Sequence, residues 1–230
     1  MNHPKLIVIG ILFVAAVILA GCVNPPVDDG TVHKHADFAL FIDGQQFNFA
    51  QEKYMTDLNG NALSTLVHLH DLNGDVIHVH APGITLGMFF ESLGMKLETK
   101  TDPESKLQQY CFTDDQGNLY CGPRLGCYSI SSNPLNVGEV CTSAPAPATP
   151  ILEVYVNGTK LSEKPEDYVI QDLDQILISY HAYTGDISNQ LAAVTDKACI
   201  QSGKCPERGE PAPEDSCGGT ECGTGTIPTA

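Results

Sequence analysis

The sequence predicts an α+β protein: a mixed β-sheet with one packed helix and loops stapled by disulfides. Three observations point there. Several short runs alternate apolar and polar residues, the period of a strand with one buried face. One run, Leu86-Gly87-Met88-Phe89-Phe90-Glu91-Ser92-Leu93, spaces its apolar residues as a helix does. Cysteines crowd into stretches rich in Gly and Pro, which need covalent bridges where a core is thin.

Composition narrows the function classes. The chain has 230 residues, with 12 Lys and Arg against 28 Asp and Glu, a formal net charge of −16. Nucleic-acid binding needs a basic footprint and is excluded as an expectation. Residues 1–22 are expected to be a lipoprotein signal peptide. Lys5 supplies a positive start, and the apolar run Leu6 to Ala20 is short for a membrane span of about 20 residues. The run ends in Leu19-Ala20-Gly21-Cys22, similar to a lipobox, which makes Cys22 the expected lipidation site. The protein is then exported, lipid-anchored at the outer face of the cytoplasmic membrane, with residues 23–31 as a tether.

The main domain is expected over 32–198, interrupted by a Cys- and Pro-rich insertion at 99–150 that carries little core. Phe38, Leu40 and Ile42 alternate along a first strand, Asp43-Gly44 is a two-residue hairpin signal, and Phe47 and Phe49 return on the core face. His33, His35 and Asp37 then share the opposite, polar face. Residues 65–80 read as a second hairpin. A three-residue loop Leu72-Asn73-Gly74, with Gly74 left-handed, sets His68 opposite His78 and keeps Val67, Leu69, Ile77 and Val79 on one face. Thr85 is the expected N-cap of the helix and Gly94 its stop. After the insertion come a strand Leu152–Val156, the turn Asn157-Gly158, a strand Gln175–Tyr180 behind an Asp-rich turn, and an amphipathic helix Ile187 to Ala198. Residues 199–230 form a Cys-, Gly- and Pro-rich tail. This order of hairpin, helix, excursion and strands is similar to the β-grasp fold, with an added N-terminal hairpin extending its sheet.

The histidines carry the chemistry. Each His-x-His puts two imidazoles on one strand face, and the expected register brings His68, His70, His78 and His80 to the same face. Same-face neighbours stand about 6.5–7 Å apart, from the strand rise. Neutral imidazole suits zinc and copper. The candidate metal ligands are therefore His68, His70, His78 and His80, joined by His33, His35 and Asp37 if the first strand lies nearby. No methionine neighbours them, which argues against a dedicated Cu(I) site. Incidental histidines on a polar strand are the plain alternative. His181 is expected to be a satisfied surface histidine.

Of nine cysteines, Cys22 is set aside for lipid. Cys111, Cys121, Cys127, Cys141, Cys199, Cys205, Cys217 and Cys222 remain, an even number in an exported chain, and predict four disulfides. Local bridges Cys111–Cys121 and Cys127–Cys141 are the simplest pairing.

Several runs carry a family resemblance: His33-Lys34-His35-Ala36-Asp37-Phe38, Gln51-Glu52-Lys53-Tyr54-Met55, Val67-His68-Leu69-His70-Asp71 and Val76-Ile77-His78-Val79-His80-Ala81-Pro82-Gly83-Ile84-Thr85-Leu86-Gly87. Asp172-Leu173-Asp174-Gln175-Ile176-Leu177-Ile178-Ser179-Tyr180 and the Cys199 to Gly209 segment add to it. Together they resemble an exported family of uncultivated bacteria and archaea whose members often carry the label protein-disulfide isomerase. That resemblance implies thiol–disulfide exchange, with Cys199 and Cys205 as the pair, although the chain has no C-x-x-C motif. The residues themselves favour a membrane-anchored metal-binding lipoprotein. A zinc hydrolase using Asp37, Asp71 or Asp75, a thiol–disulfide oxidoreductase and a non-catalytic surface binding module are the alternatives.

Overall fold

A computed structural model describes residues 26–28, 30–125, 127–129, 139–141 and 146–211. The expected signal segment 1–22 with Cys22, and Cys217 and Cys222 in the tail, lie outside the described residues. No helix among the described residues is long and apolar enough to cross a membrane.

The chain folds as α+β, mostly sheet. The first strand, β1 (Lys34–Ile42), turns at Asp43-Gly44 into the short β2 (Gln45–Gln46). Both turn residues have positive φ, 51° and 79°, as a two-residue hairpin loop of matching twist requires. Strands β3 (Val67–His68) and β4 (Val76–Val79) form the second hairpin. Helix α1 (Leu86–Ser92) starts where Thr85 accepts a hydrogen bond from the Met88 amide, 3.3 Å, and ends before Gly94. The insertion builds β5 (Lys96–Thr101), β6 (Gln108–Thr113) and β7 (Leu119–Pro123), then β8 (Cys127–Ser129) and β9 (Glu139–Cys141). The hairpin of β10 (Pro150–Val156) and β11 (Thr159–Lys160) turns at Asn157-Gly158, and β12 (Gln175–Ala182) closes the sheet. Helices α2 (Ser188–Ala193) and α3 (Ala198–Gln201) follow.

The main sheet has the order β11-β10-β12-β1-β4-β3, with β2 also on β1. β1 runs parallel to β12 and antiparallel to β4. It therefore lies at the centre of the sheet, where the sequence suggested an extension at the edge. The edge strands are β3 and β11. A central strand loses both hydrogen-bonding edges to neighbours, and here both faces are covered as well.

On one face, Ala36, Phe38, Leu40, Ile77, Val79, Ile176 and Ile178 meet Leu86, Phe89 and Phe90 of α1 in the main core. On the other, Ala39, Phe41 and Leu177 are covered by Ile187, Leu191 and Val194. The expected helix Ile187 to Ala198 is two short helices instead, broken where Val194 turns extended with φ −62° and ψ 124°. Its apolar face was nevertheless correctly placed. Ahead of β12, Val169 makes an isolated antiparallel bridge to Thr85 at the helix N-terminus.

The insertion carries more core than its composition promised. β5, β6 and β7 form a three-stranded antiparallel sheet, and Tyr110 and Phe112 join the main cluster together with Leu97 just ahead of the insertion. Cys111 and Cys121 stand opposite each other in the β6–β7 register and are disulfide-bonded. The backbone register of β8 and β9 sets Cys127 opposite Cys141. A second described disulfide joins Cys199 to Cys205.

Phe112 tests whether this sheet belongs to the core, because its ring is fully buried against Phe90 at 5.2 Å. Phe112→Ala is expected to lower unfolding stability by about 3–5 kcal/mol in a denaturant titration. A loss below about 1 kcal/mol would mark the second sheet as an appendage.

Candidate metal centre

Two registers assemble the histidines. β1 and β4 pair His35 with His78, and β3 and β4 pair His68 with the same His78. The hairpin register is the expected one, with His68 facing His78. The loop that makes it is different. Asp71 and Leu72 take the left-handed positions, with φ 57° and 54°, and Gly74 does not. Gly74 is needed for closeness: a Cβ there would lie 2.4 Å from the Ala50 amide nitrogen.

The result is a contiguous patch of six imidazoles. Ring centres lie 4.7 Å apart for His33 and His35, and 4.5 Å for His35 and His78. His80 is 4.8 Å from His33 and 4.9 Å from His68, and His70 is 3.8 Å from His78. Within the patch, His33, His35 and His78 each offer a nitrogen, all within 4.8 Å of one another. Zinc–nitrogen bonds of about 2.0–2.1 Å bring tetrahedral ligands to roughly 3.3 Å. The remaining approach is small for a group that includes His33, the exposed member.

Hydrogen bonds fix the tautomers of His35, His68, His70 and His78. Ser202 donates its hydroxyl hydrogen to Asp172, 3.0 Å, so its oxygen accepts from His35 Nδ1, 2.9 Å. His35 keeps a lone pair on Nε2. The Asp71 carboxylate, which can only accept, takes the Nδ1 hydrogen of His70 at 2.8 Å. His70 Nε2 then accepts from His78 Nδ1 at 3.0 Å, which leaves the lone pair of His78 on Nε2. That His78 atom is buried and has no hydrogen-bond partner among the described residues. In His68, Nδ1 donates to the Ser64 carbonyl at 3.0 Å, with the same consequence for Nε2. Such outer partners orient metal-ligating imidazoles and fix their tautomers.

Burial also holds His35, His68 and His78 neutral, the form that ligates metal. Burial, then the neighbouring His33, lowers His35 to about 4. Burial, then His80, lowers His68 to about 4. Burial and the adjacent His70 push His78 well below the ordinary imidazole range.

The sequence expected an exposed polar face here. His35, His68, His70 and His78 are instead buried, and the returning C-terminal segment reaches His35 through Ser202. Asp37 also has another role. Its carboxylate accepts from Thr195 Oγ1 at 2.5 Å, the Lys197 amide at 2.8 Å and the Ala198 amide at 2.9 Å, so it anchors that returning segment. It is not in the three-histidine group. His181 is remote from the patch on β12, and it is buried where a surface position was expected. It contacts Ser179 Oγ at 2.9 Å. Cys199 and Cys205 are joined to each other, with an Arg208 nitrogen 3.3 Å from Cys199 Sγ.

Sequence reasoning missed Asp172, Ser202 and Ser64. The first two reach His35 from 137 and 167 residues away, and nothing local in the chain announces them.

Acid should expose this arrangement in the metal-free protein. Unfolded histidines protonate near 6.5, whereas His35 and His68 resist until about 4. Between those values the unfolded chain binds more protons, so stability is full above pH 6.5 and falls as pH drops towards 4. Thermal midpoints measured across this window should decline, and a flat profile would contradict the buried, neutral rings.

No family model matches this chain, and neither does any curated protein or solved structure.

Proposed function

We propose that the chain is a transition-metal-binding protein that takes zinc or copper on His33, His35 and His78. One observation carries the proposal: the Nε2 atom of His78 is buried beside two other imidazoles and has no hydrogen-bond partner among the described residues. A buried acceptor left unsatisfied costs about 1–3 kcal/mol. Folding tolerates that cost where a ligand later meets the atom, and a lone pair held on neutral Nε2 is the form a metal ion requires. The donor set supports the choice of ion. Three nitrogens without thiolate or thioether suit zinc and Cu(II) better than Cu(I), and hard cations prefer oxygen.

The wider proposal is a lipoprotein held at the membrane by Cys22, with this domain facing an oxidising compartment. The two described disulfides accord with such a compartment. The fold is proposed to be β-grasp-like. The order β4-β1-β12-β10, with the first and last strands parallel and α1 across one face, supports that description.

Metal content decides the matter. Protein purified without a histidine tag, loaded with zinc and desalted, should retain the ion by elemental analysis. His78→Ala should release it, and Ser202→Ala should weaken binding roughly 10–100-fold through loss of the His35 orienting bond. Equal metal in wild type and His78→Ala would end the proposal.

A further inference from the structure

The hydroxyl that sets the His35 tautomer sits inside a covalent loop. Cys199 and Cys205 are bridged at a separation of 6, and Ser202 lies between them. Ser202 Oγ reaches His35 Nδ1 at 2.9 Å and Asp172 Oδ1 at 3.0 Å. The same Asp172 oxygen accepts the His35 amide hydrogen at 3.0 Å. Lys204, also inside the loop, pairs with the other Asp172 oxygen. One carboxylate thus joins the loop to the strand that carries His35.

The backbone of the loop is a weak support by itself. Helix α3 has 4 residues, well below the roughly 12–15 at which an isolated helix holds in water. Two tight turns follow, Gly203 amide to Ile200 carbonyl and Lys204 amide to Cys199 carbonyl, each at 2.9 Å. The Asp37 bonds end at Ala198, just before the bridge begins. Closing the loop covalently removes conformations that would carry Ser202 away from His35.

The bridge is also placed to be opened. It lies outside the sheets, and Cys199 is half-buried. Cys111 of the other described bridge is fully buried within the β6–β7 ladder. Arg208 Nη1 stands 3.3 Å from Cys199 Sγ and is itself held by the carboxylate of Asp196. A guanidinium beside a sulfur favours the thiolate, the form that leaves in disulfide exchange.

We propose that the Cys199–Cys205 bridge is a redox lock on the histidine centre. Closed, it holds Ser202 on His35; opened by a dithiol reductant, it frees that hydroxyl and metal binding weakens. The proposal rests on the metal reading above and adds its regulation. One thiolate of the dithiol attacks Cys199 Sγ, the S–S bond breaks, and Cys205 leaves and takes a proton. The second thiolate attacks the reductant's own sulfur in the mixed disulfide, and Cys199 leaves as a thiolate beside Arg208. The dithiol becomes a disulfide, and its two electrons pass to the two cysteines.

Three measurements on the untagged full chain test this. In dithiothreitol, alkylation and peptide mass analysis should label Cys199 and Cys205 while Cys111 stays bridged and far-ultraviolet circular dichroism stays native. In metal-free protein above neutral pH, long-range proton–nitrogen spectra should show His35 protonated on Nδ1 with the bridge closed. The ring should move towards the Nε2-protonated form once the bridge opens, in dithiothreitol and in the Cys199→Ser, Cys205→Ser double variant alike. Zinc affinity, from competition with a chromophoric chelator, should fall roughly 10–100-fold in that double variant. Adding Ser202→Ala to it should weaken binding no further, since both changes remove one contact. A bridge that opens only when the fold is lost, an unchanged His35 signal, or additive losses overturns the lock. No zinc on wild type ends the metal reading and the weakening with it, while the His35 signal still decides the lock.

Discussion

A buried carboxylate organises the half of this protein that carries the histidine patch. Asp37 sits on the central strand with 1% of its surface exposed, and its oxygens take three hydrogen bonds from residues 195–198. Hydrogen bonds to a charged acceptor contribute about 1.5–3 kcal/mol each. Removing them would strand a charge in the interior. The C-terminal segment is therefore pinned against the sheet, and with it come Ser202 and the Cys199–Cys205 loop. Without that return, His35 would face water and lose the partner that sets its tautomer.

The fold was legible where local rules dominate. The Asp43-Gly44 and Asn157-Gly158 turns, the Thr85 cap and the apolar stripe of α1 each follow from short-range sterics and periodicity. The hairpin register was legible too, since a one-residue slip would have turned Val67 and Leu69 away from the core. What the sequence did not disclose depends on distant pairing. β1 became central because β12 lies parallel to it from well over a hundred residues away. The alternation in β1 reads as one buried face, yet Ala39 and Phe41 on the polar side were a hint that it too is covered.

The candidate site shows the same division. Strand alternation put the His-x-His pairs on one side, and the registers of β4 with both its neighbours did the rest. Asp37 illustrates the limit. Its position on the histidine face is a matter of strand period, but its role as anchor depends on Thr195, Lys197 and Ala198, which no local pattern links to it. Chemically, the site gains from being covered. Burial keeps His35, His68 and His78 uncharged near neutrality, so a metal ion meets lone pairs without first displacing protons.

The length of chain between His35 and Ser202 has a consequence for biogenesis. The strand is made early and its orienting hydroxyl 167 residues later, so the ribosome releases nearly the whole domain before this centre can be finished. A growing polypeptide would present histidines without their outer partners. The oriented histidine cluster is thereby deferred to the completed, cross-linked molecule.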